Sequence, residues 1–215
     1  MAPSEAEVAL IDSVYGITTG ETSLPKAIRE FLSLQTDPIA AMFYLDSIVH
    51  KVSDSQVVGM DSGQVLLATA LFEKHHEMLD APGNPFLSAG ADKLIAGEIV
   101  LSDDIIAFAT LTEDEYYKLV LEPLAVRRAM GWIVAGRGQR WLTMGSGRPA
   151  QAGEYTRREV ERADLFRRHL ARAVHLQELL HERRGARDLL EHSFQQLPYG
   201  ILLLDDQRNI LFSNL

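Results

Sequence analysis

Arg128-Ala129-Met130-Gly131-Trp132-Ile133-Val134-Ala135, Gly136-Arg137-Gly138-Gln139 and Arg140-Trp141-Leu142-Thr143-Met144 read in succession as strand, turn and returning strand. Aromatic and β-branched residues fill the two arms, and glycine-rich turn chemistry joins them. A hairpin of this kind, without a regular alternation of strand and helix around it, fits an antiparallel sheet rather than a doubly wound parallel one.

Working outward, Ile39–Asp46 is an apolar strand. Ile48–Val52 reads as its continuation after a turn at Asp46-Ser47, and Gln56–Met60 as a third strand, which together suggest a meander. Ile95–Leu101 adds a short strand, and Gly145–Gly153 reads as a flexible loop. Helices flank these strands. Ser4-Glu5-Ala6-Glu7 is a capping box that starts a helix to Tyr15, with Gly16 as its expected end. Ser23 caps a second helix with Pro25 in its first turn. Ser62–Leu79 is a third, and Asp80–Leu87 is a loop. Thr112-Glu113-Asp114-Glu115 is a further capping box, opening a helix through Tyr116 and Leu121 that Pro123 ends. The fold class is therefore α+β: an antiparallel sheet with flanking helices.

A third capping box, Thr156-Arg157-Arg158-Glu159, opens a helix predicted to run to about Leu197. Some 40 helical residues span ~60 Å, more than one small domain needs. The first half, with Val160, Ala163, Phe166, Leu170, Ala173 and Val174, is suited to packing on its own sheet. From Leu176 the seam 176, 179, 183, 186, 190, 193, 197 alternates steps of three and four, with Arg183 and Ser193 as imperfections. Leu176, Leu179, Leu180, Ala186, Leu190, Phe194 and Leu197 are the candidate dimer-helix residues. Gly185 weakens the middle by ~1 kcal/mol relative to Ala. Ile201–Leu204 and Ile210–Phe212 then form a β-hairpin, which is marginal in isolation and calls for a partner sheet or a continuing chain. The organisation is a sensory domain at 1–153, a dimerisation and signalling helix at 154–197, and the start of a further segment at 198–215.

The bulk numbers are those of an ordinary globular chain: 215 residues, 47% hydrophobic and 24% charged. A net charge of −9 argues against non-specific binding to nucleic acid or an anionic membrane. The absence of cysteine excludes disulfides, thiolate metal sites and Cys nucleophiles. No apolar run reaches the ~18 residues of a membrane span, and the start is no signal peptide, so a cytoplasmic protein is expected. Residues 156–192 hold nine Arg and seven Asp/Glu, an excess of positive charge against an acidic remainder.

Leu197-Pro198-Tyr199-Gly200-Ile201-Leu202-Leu203-Leu204-Asp205, with Ile210-Leu211-Phe212-Ser213-Asn214, resembles the opening of a PAS domain. Glu115-Tyr116-Tyr117-Lys118 leading to Arg127-Arg128-Ala129-Met130-Gly131, the loop Asn84-Pro85-Phe86-Leu87, and Arg168-His169-Leu170-Ala171-Arg172-Ala173 resemble the sensory part of a group of LuxR-type helix-turn-helix transcriptional regulators. The resemblance implies a GAF-like or PAS-like sensory domain, a helix, a PAS-like segment and a C-terminal DNA-binding domain that this chain does not include. Arg168 stands where that group commonly has a proline before the His-Leu pair. The lactone-binding pattern of its quorum-sensing members is not evident, so no acyl-homoserine lactone is expected.

Phe86, Tyr116, Tyr117, Met130 and Trp132 are the candidate pocket residues, because small-molecule sites are mostly apolar with a few polar tips; the competing reading is plain core packing. His75 and His76, adjacent on a helix end, diverge too far to chelate one metal. His169, His175 and His181 lie along the long helix as packing or surface residues. No triad order, phosphate loop or HExxH occurs, so no catalytic residue, metal or cofactor is expected, and no enzyme. An unknown small-molecule ligand remains open. The expected function is a sensory, dimerising module of a bacterial transcriptional regulator that reaches DNA only through a domain outside this chain. The alternative is a ligand-free module that docks a partner protein through the helix or the hairpin.

Overall fold

A computed structural model describes residues 4–46, 51–80, 83–137, 140–195, 202–204 and 207–213. Two compact units divide the chain, Met1–Val174 and His175–Leu215. The first holds a five-stranded sheet ordered β2-β1-β5-β4-β3: β1 Ile39–Asp46, β2 Val52–Gly59, β3 Val100–Leu101, β4 Arg128–Arg137 and β5 Arg140–Arg148. Every pairing is antiparallel. This is the expected α+β architecture, with three differences in the strands. The segments expected as separate strands around residues 52 and 56 are one strand, whose exposed Ser53-Asp54-Ser55-Gln56 belongs to a sheet edge; His50 and residues 47–49 lie outside the described residues. Gly145–Arg148 is not a loop but the second half of the central strand, with residues 145–147 paired on both sides and Arg148 paired with Arg128. The short third strand is confined to Val100–Leu101, because residues up to Ile95 are helical.

Three helices cover one face. α1, Glu5–Thr19, opens with the reciprocal Ser4–Glu7 capping box. It passes through Gly16, where a Cβ would stand 2.8 Å from Thr22 Oγ1, and ends at Gly20, whose φ of 82° is the left-handed cap glycine tolerates best. The glycine expected as a terminator is thus a close-approach position. α2, Leu24–Gln35, and the first half of α7, Arg157–Gln195, complete the layer. Ala163, Phe166, Leu170 and Ala173 of α7 are buried with Phe31 of α2 and Trp132 of β4. Phe31 stacks on Phe166 at 4.5 Å and meets Trp132 edge-on at 5.7 Å.

The opposite face carries α3, Ser62–Lys74, a 3₁₀ turn His76–Leu79, α4 Pro85–Ile95, α5 Ser102–Ile105, α6 Phe108–Leu111 and a π-helical turn Tyr117–Leu121. The loop expected around Asn84 starts α4 instead: Asn84 Oδ1 accepts from the Phe86 amide at 3.0 Å, with Pro85 in the first turn. Thr112 closes α6 rather than opening a helix, and Asp114 caps the next turn by accepting from the Tyr116 amide at 2.8 Å.

The second unit comprises α7 from His175 and a two-stranded sheet, β6 Leu202–Leu204 and β7 Ile210–Ser213. Leu176, Leu179 and Leu180 are exposed. The side chains of Ala186, Leu190 and Phe194, and all of Leu197, lie outside what is described. Among the described residues no helix is long and apolar enough to cross a membrane.

Candidate functional site

Side chains alternate between the faces of a strand, and the two faces of this sheet are filled in opposite ways. On the helix-covered face one row across three strands is Met42, Met144 and Trp132, all buried. The neighbouring row, on the other face, is Ala41, Gly145 and Gly131. A Cβ placed on Gly145 or Gly131 would meet nothing nearer than a backbone carbonyl at 3.5 Å. The missing side chains leave a cavity of about 140 Å³ over this row. Phe43, Phe72, Phe86, Leu121 and Val126 are among its walls.

Its polar atoms are few. Tyr116 and Asn84 are buried side by side, and the phenol takes its side-chain hydrogen bond from Asn84. Burial pushes the Tyr116 phenol well above its ordinary range, so it stays protonated. Thr143 donates to the Phe43 carbonyl at 3.3 Å, and Ser102 accepts from the Ala129 amide at 3.1 Å. Among the described lining residues none is charged.

The structure separates the five expected pocket residues. Phe86 and Tyr116 line the cavity together, edge to face at 5.9 Å. Met130 and Trp132 border it along β4, but their side chains belong to the opposite core. Tyr117 turns away and meets Phe108 edge-on at 5.6 Å, with the Arg127 guanidinium over the same Phe108 ring. Among the described residues no group of three or more His, Asp or Glu is placed to hold a metal ion. What sequence reading missed is the floor. Its signal was present, since Gly145 and Gly131 occupy strand positions where glycine is poorly suited unless close approach or empty space is required.

One residue beyond Gly147, the same strand enters a buried polar cluster. Arg148 Nε donates to Asp37 Oδ1 at 2.7 Å, and its Nη2 donates to the Gln35 carbonyl at 2.7 Å and to Glu159 Oε1 at 2.6 Å. Ser146 and Tyr155 donate to the second Asp37 oxygen at 2.7 and 3.1 Å. The Arg148 guanidinium lies over the Tyr155 ring at 3.8 Å. Burial pushes the Asp37 carboxyl up, while these three donors pull the other way. Burial also works against the charge of Glu159, but hydrogen bonds from Arg148 and Thr156 outweigh it and hold that carboxyl below its ordinary value. Glu159 is the fourth residue of the capping box that starts α7, accepting from the Thr156 amide at 2.7 Å. Gln35 Nε2 reaches the Glu159 carbonyl at 2.8 Å. Arg162 adds bonds to Glu7 and to the Leu34 carbonyl. The cluster therefore fastens the end of β5, the end of α2 and the first turn of α7 to one another.

No family model matches the sequence, and no curated protein matches it. Solved structures do. The N-acylhomoserine lactone dependent LuxR family transcription factor CepR2 from Burkholderia cenocepacia matches with a TM-score of 0.53 at 10% identity, over 80% of this chain and 94% of that one. The ligand-binding domain of VqsR from Pseudomonas aeruginosa matches with a TM-score of 0.51 at 12% identity, over the same shares. The phycoerythrobilin-bound GAF domain of a cyanobacterial phytochrome matches with a TM-score of 0.51 at 10% identity, over 84% of this chain and 100% of that one. At such identities the likeness is one of fold, and the fold is GAF-like.

Proposed function

We propose that this chain is the sensory and dimerising module of a bacterial, cytoplasmic transcriptional regulator, and not an enzyme. In this reading it passes the state of the β-sheet cavity through α7 to a DNA-binding domain outside these residues. The observation that carries the reading is the layout of β5. Gly145 lies on the cavity floor, and Arg148, three residues on, is tied to the first turn of α7 through Glu159. An occupant pressing on the floor displaces β5, and the cluster transmits that displacement to the helix as a shift between two packings. The ligand-binding and lactone-dependent roles of the two LuxR-family neighbours favour the same reading.

The exposed Leu176, Leu179 and Leu180, spaced three and four residues apart on α7, supply an apolar face for a second copy. The competing reading is docking of a partner protein on that face, with the cavity as inert core. Hydrogen exchange of the chain carrying Gly145→Val tests the first reading, since the added side chain imitates an occupant. Protection over residues 157–174 should change relative to wild type; unchanged exchange there would sink the relay. Light scattering of Leu179→Glu tests the second copy: wild type should be a dimer and the variant a monomer.

A further inference from the structure

Among the described residues the cavity is lined by apolar side chains, glycines and a few neutral polar groups. Its about 140 Å³ is close to the ~150 Å³ of an engineered apolar cavity that takes up benzene. Its only buried phenol, Tyr116, stands beside Asn84. The other polar side chains of the lining are engaged, Asn84 Oδ1 by the Phe86 amide, Ser102 by the Ala129 amide, Thr143 with the Phe43 carbonyl and Ser146 with Asp37, so the tyrosine hydroxyl is the polar group offered to an occupant. An ionised ligand would meet no counter-charge among the described lining residues, and an isolated charge in such surroundings is disfavoured by several kcal/mol.

We infer that the cavity takes an uncharged, compact and largely apolar molecule, about the size of one six-membered ring, carrying a single hydrogen-bonding group that meets Tyr116. The inference rests on the sensory reading above for its biological sense, though not for its chemistry. It sets aside nucleotides, carboxylates and amines as occupants. It also assigns selectivity to two features: Gly131 and Gly145 set the depth of the space, and Tyr116 chooses the polar end.

The test is calorimetric titration of the full chain with four molecules of one shape class: benzyl alcohol, toluene, benzoate and benzylammonium. The expected result is one site per chain for benzyl alcohol, weaker binding of toluene, and binding of both ions at least ~100-fold weaker than the alcohol. Tyr116→Phe, which keeps the ring, should bring benzyl alcohol down by about tenfold towards toluene and leave toluene unchanged. Gly145→Val should abolish all binding, and the milder Gly131→Ala should weaken toluene and benzyl alcohol alike. Equal or tighter binding of either ion would overturn the inference, as would no binding of any of the four, or binding that Gly145→Val leaves intact. The relay is judged separately. Benzyl alcohol that binds but leaves exchange over 157–174 unaltered would remove the relay and keep the ligand class. Altered exchange in Gly145→Val with no binding of any of the four would remove the ligand class and keep the relay.

Discussion

The two faces of the five-stranded sheet are built from alternate residues of the same strands, yet one is closed and the other hollow. Met42, Met144 and Trp132 fill the helix side, while Ala41, Gly145 and Gly131 leave the other side open. The difference is one of side-chain volume rather than backbone, because one pleated ladder serves both faces. It shows how one ladder can be packed solid on one side and leave space on the other. The closed face also holds the buried Asp37–Arg148 pair; the described lining of the cavity on the hollow face holds no charge.

The sharpest way to break this contrast is to attack the charges. Arg148→Ala would leave the carboxylate of Asp37 buried with no cation, and losing one partner of a buried pair costs about 3–5 kcal/mol. Urea unfolding should show that loss, and a change under ~1 kcal/mol would mean the cluster does not fasten α7. Packing is the next test. Phe166→Ala removes a ring stacked on Phe31 in the closed core and should cost about 3–5 kcal/mol. Phe86→Ala, on a half-buried ring that already borders empty space, should cost about half of that or less. Equal losses would mean the two faces are equally packed.

A smaller effect lies within one strand. A Cβ on Gly147 would stand 2.8 Å from Val126, whereas one on Gly145 would meet nothing nearer than the Met130 carbonyl at 3.5 Å, an ordinary contact. Gly147→Ala should cost about 1–3 kcal/mol through overpacking. Gly145→Ala should be neutral or slightly stabilising, because it restricts the unfolded chain at no steric cost. Thermal melts of the two variants decide it, and a reversed order would place the hollow elsewhere.

How far the sequence declares these features depends on the range of the interactions involved. Ile39–Asp46, the Ser4 and Thr156 capping boxes and the apolar half of α7 are legible because local periodicity or a three-residue spacing encodes them. The polar strand at Val52–Gly59 is not, since an edge strand draws its stability from the neighbour it pairs with. Nor is Gly145–Arg148, where glycines that look like turn chemistry are held extended by partners on both sides. Phe86 and Tyr116 were recognisable as cavity residues by type, but Met130 and Trp132 could be assigned a face only once the register was known. The Asp37–Arg148 pair spans 111 residues, and nothing local marks it.

The smallest effect separates the faces by pH. Glu159 sits below its ordinary value of 4.5 in the folded chain, so its contribution is present above that value and is lost as pH falls through the lower, folded one. Glu159→Gln should therefore be less stable than wild type at pH 7, and the two should converge as pH falls below 4.5; a gap that widened on acidification would contradict the sign. Asp37 shifts the opposite way through burial, so the paired measurement, rather than the acid unfolding of wild type alone, isolates Glu159. Among the described lining residues of the cavity there is no such group, and their one phenol, Tyr116, is raised away from the working range. Binding of benzyl alcohol should thus be flat from pH 5 to pH 8 and should stay flat below pH 4.5, where the fastening of α7 weakens. A titration curve in the binding itself would show that the charged cluster and the cavity are coupled through β5 closely enough for a proton at one to be felt at the other.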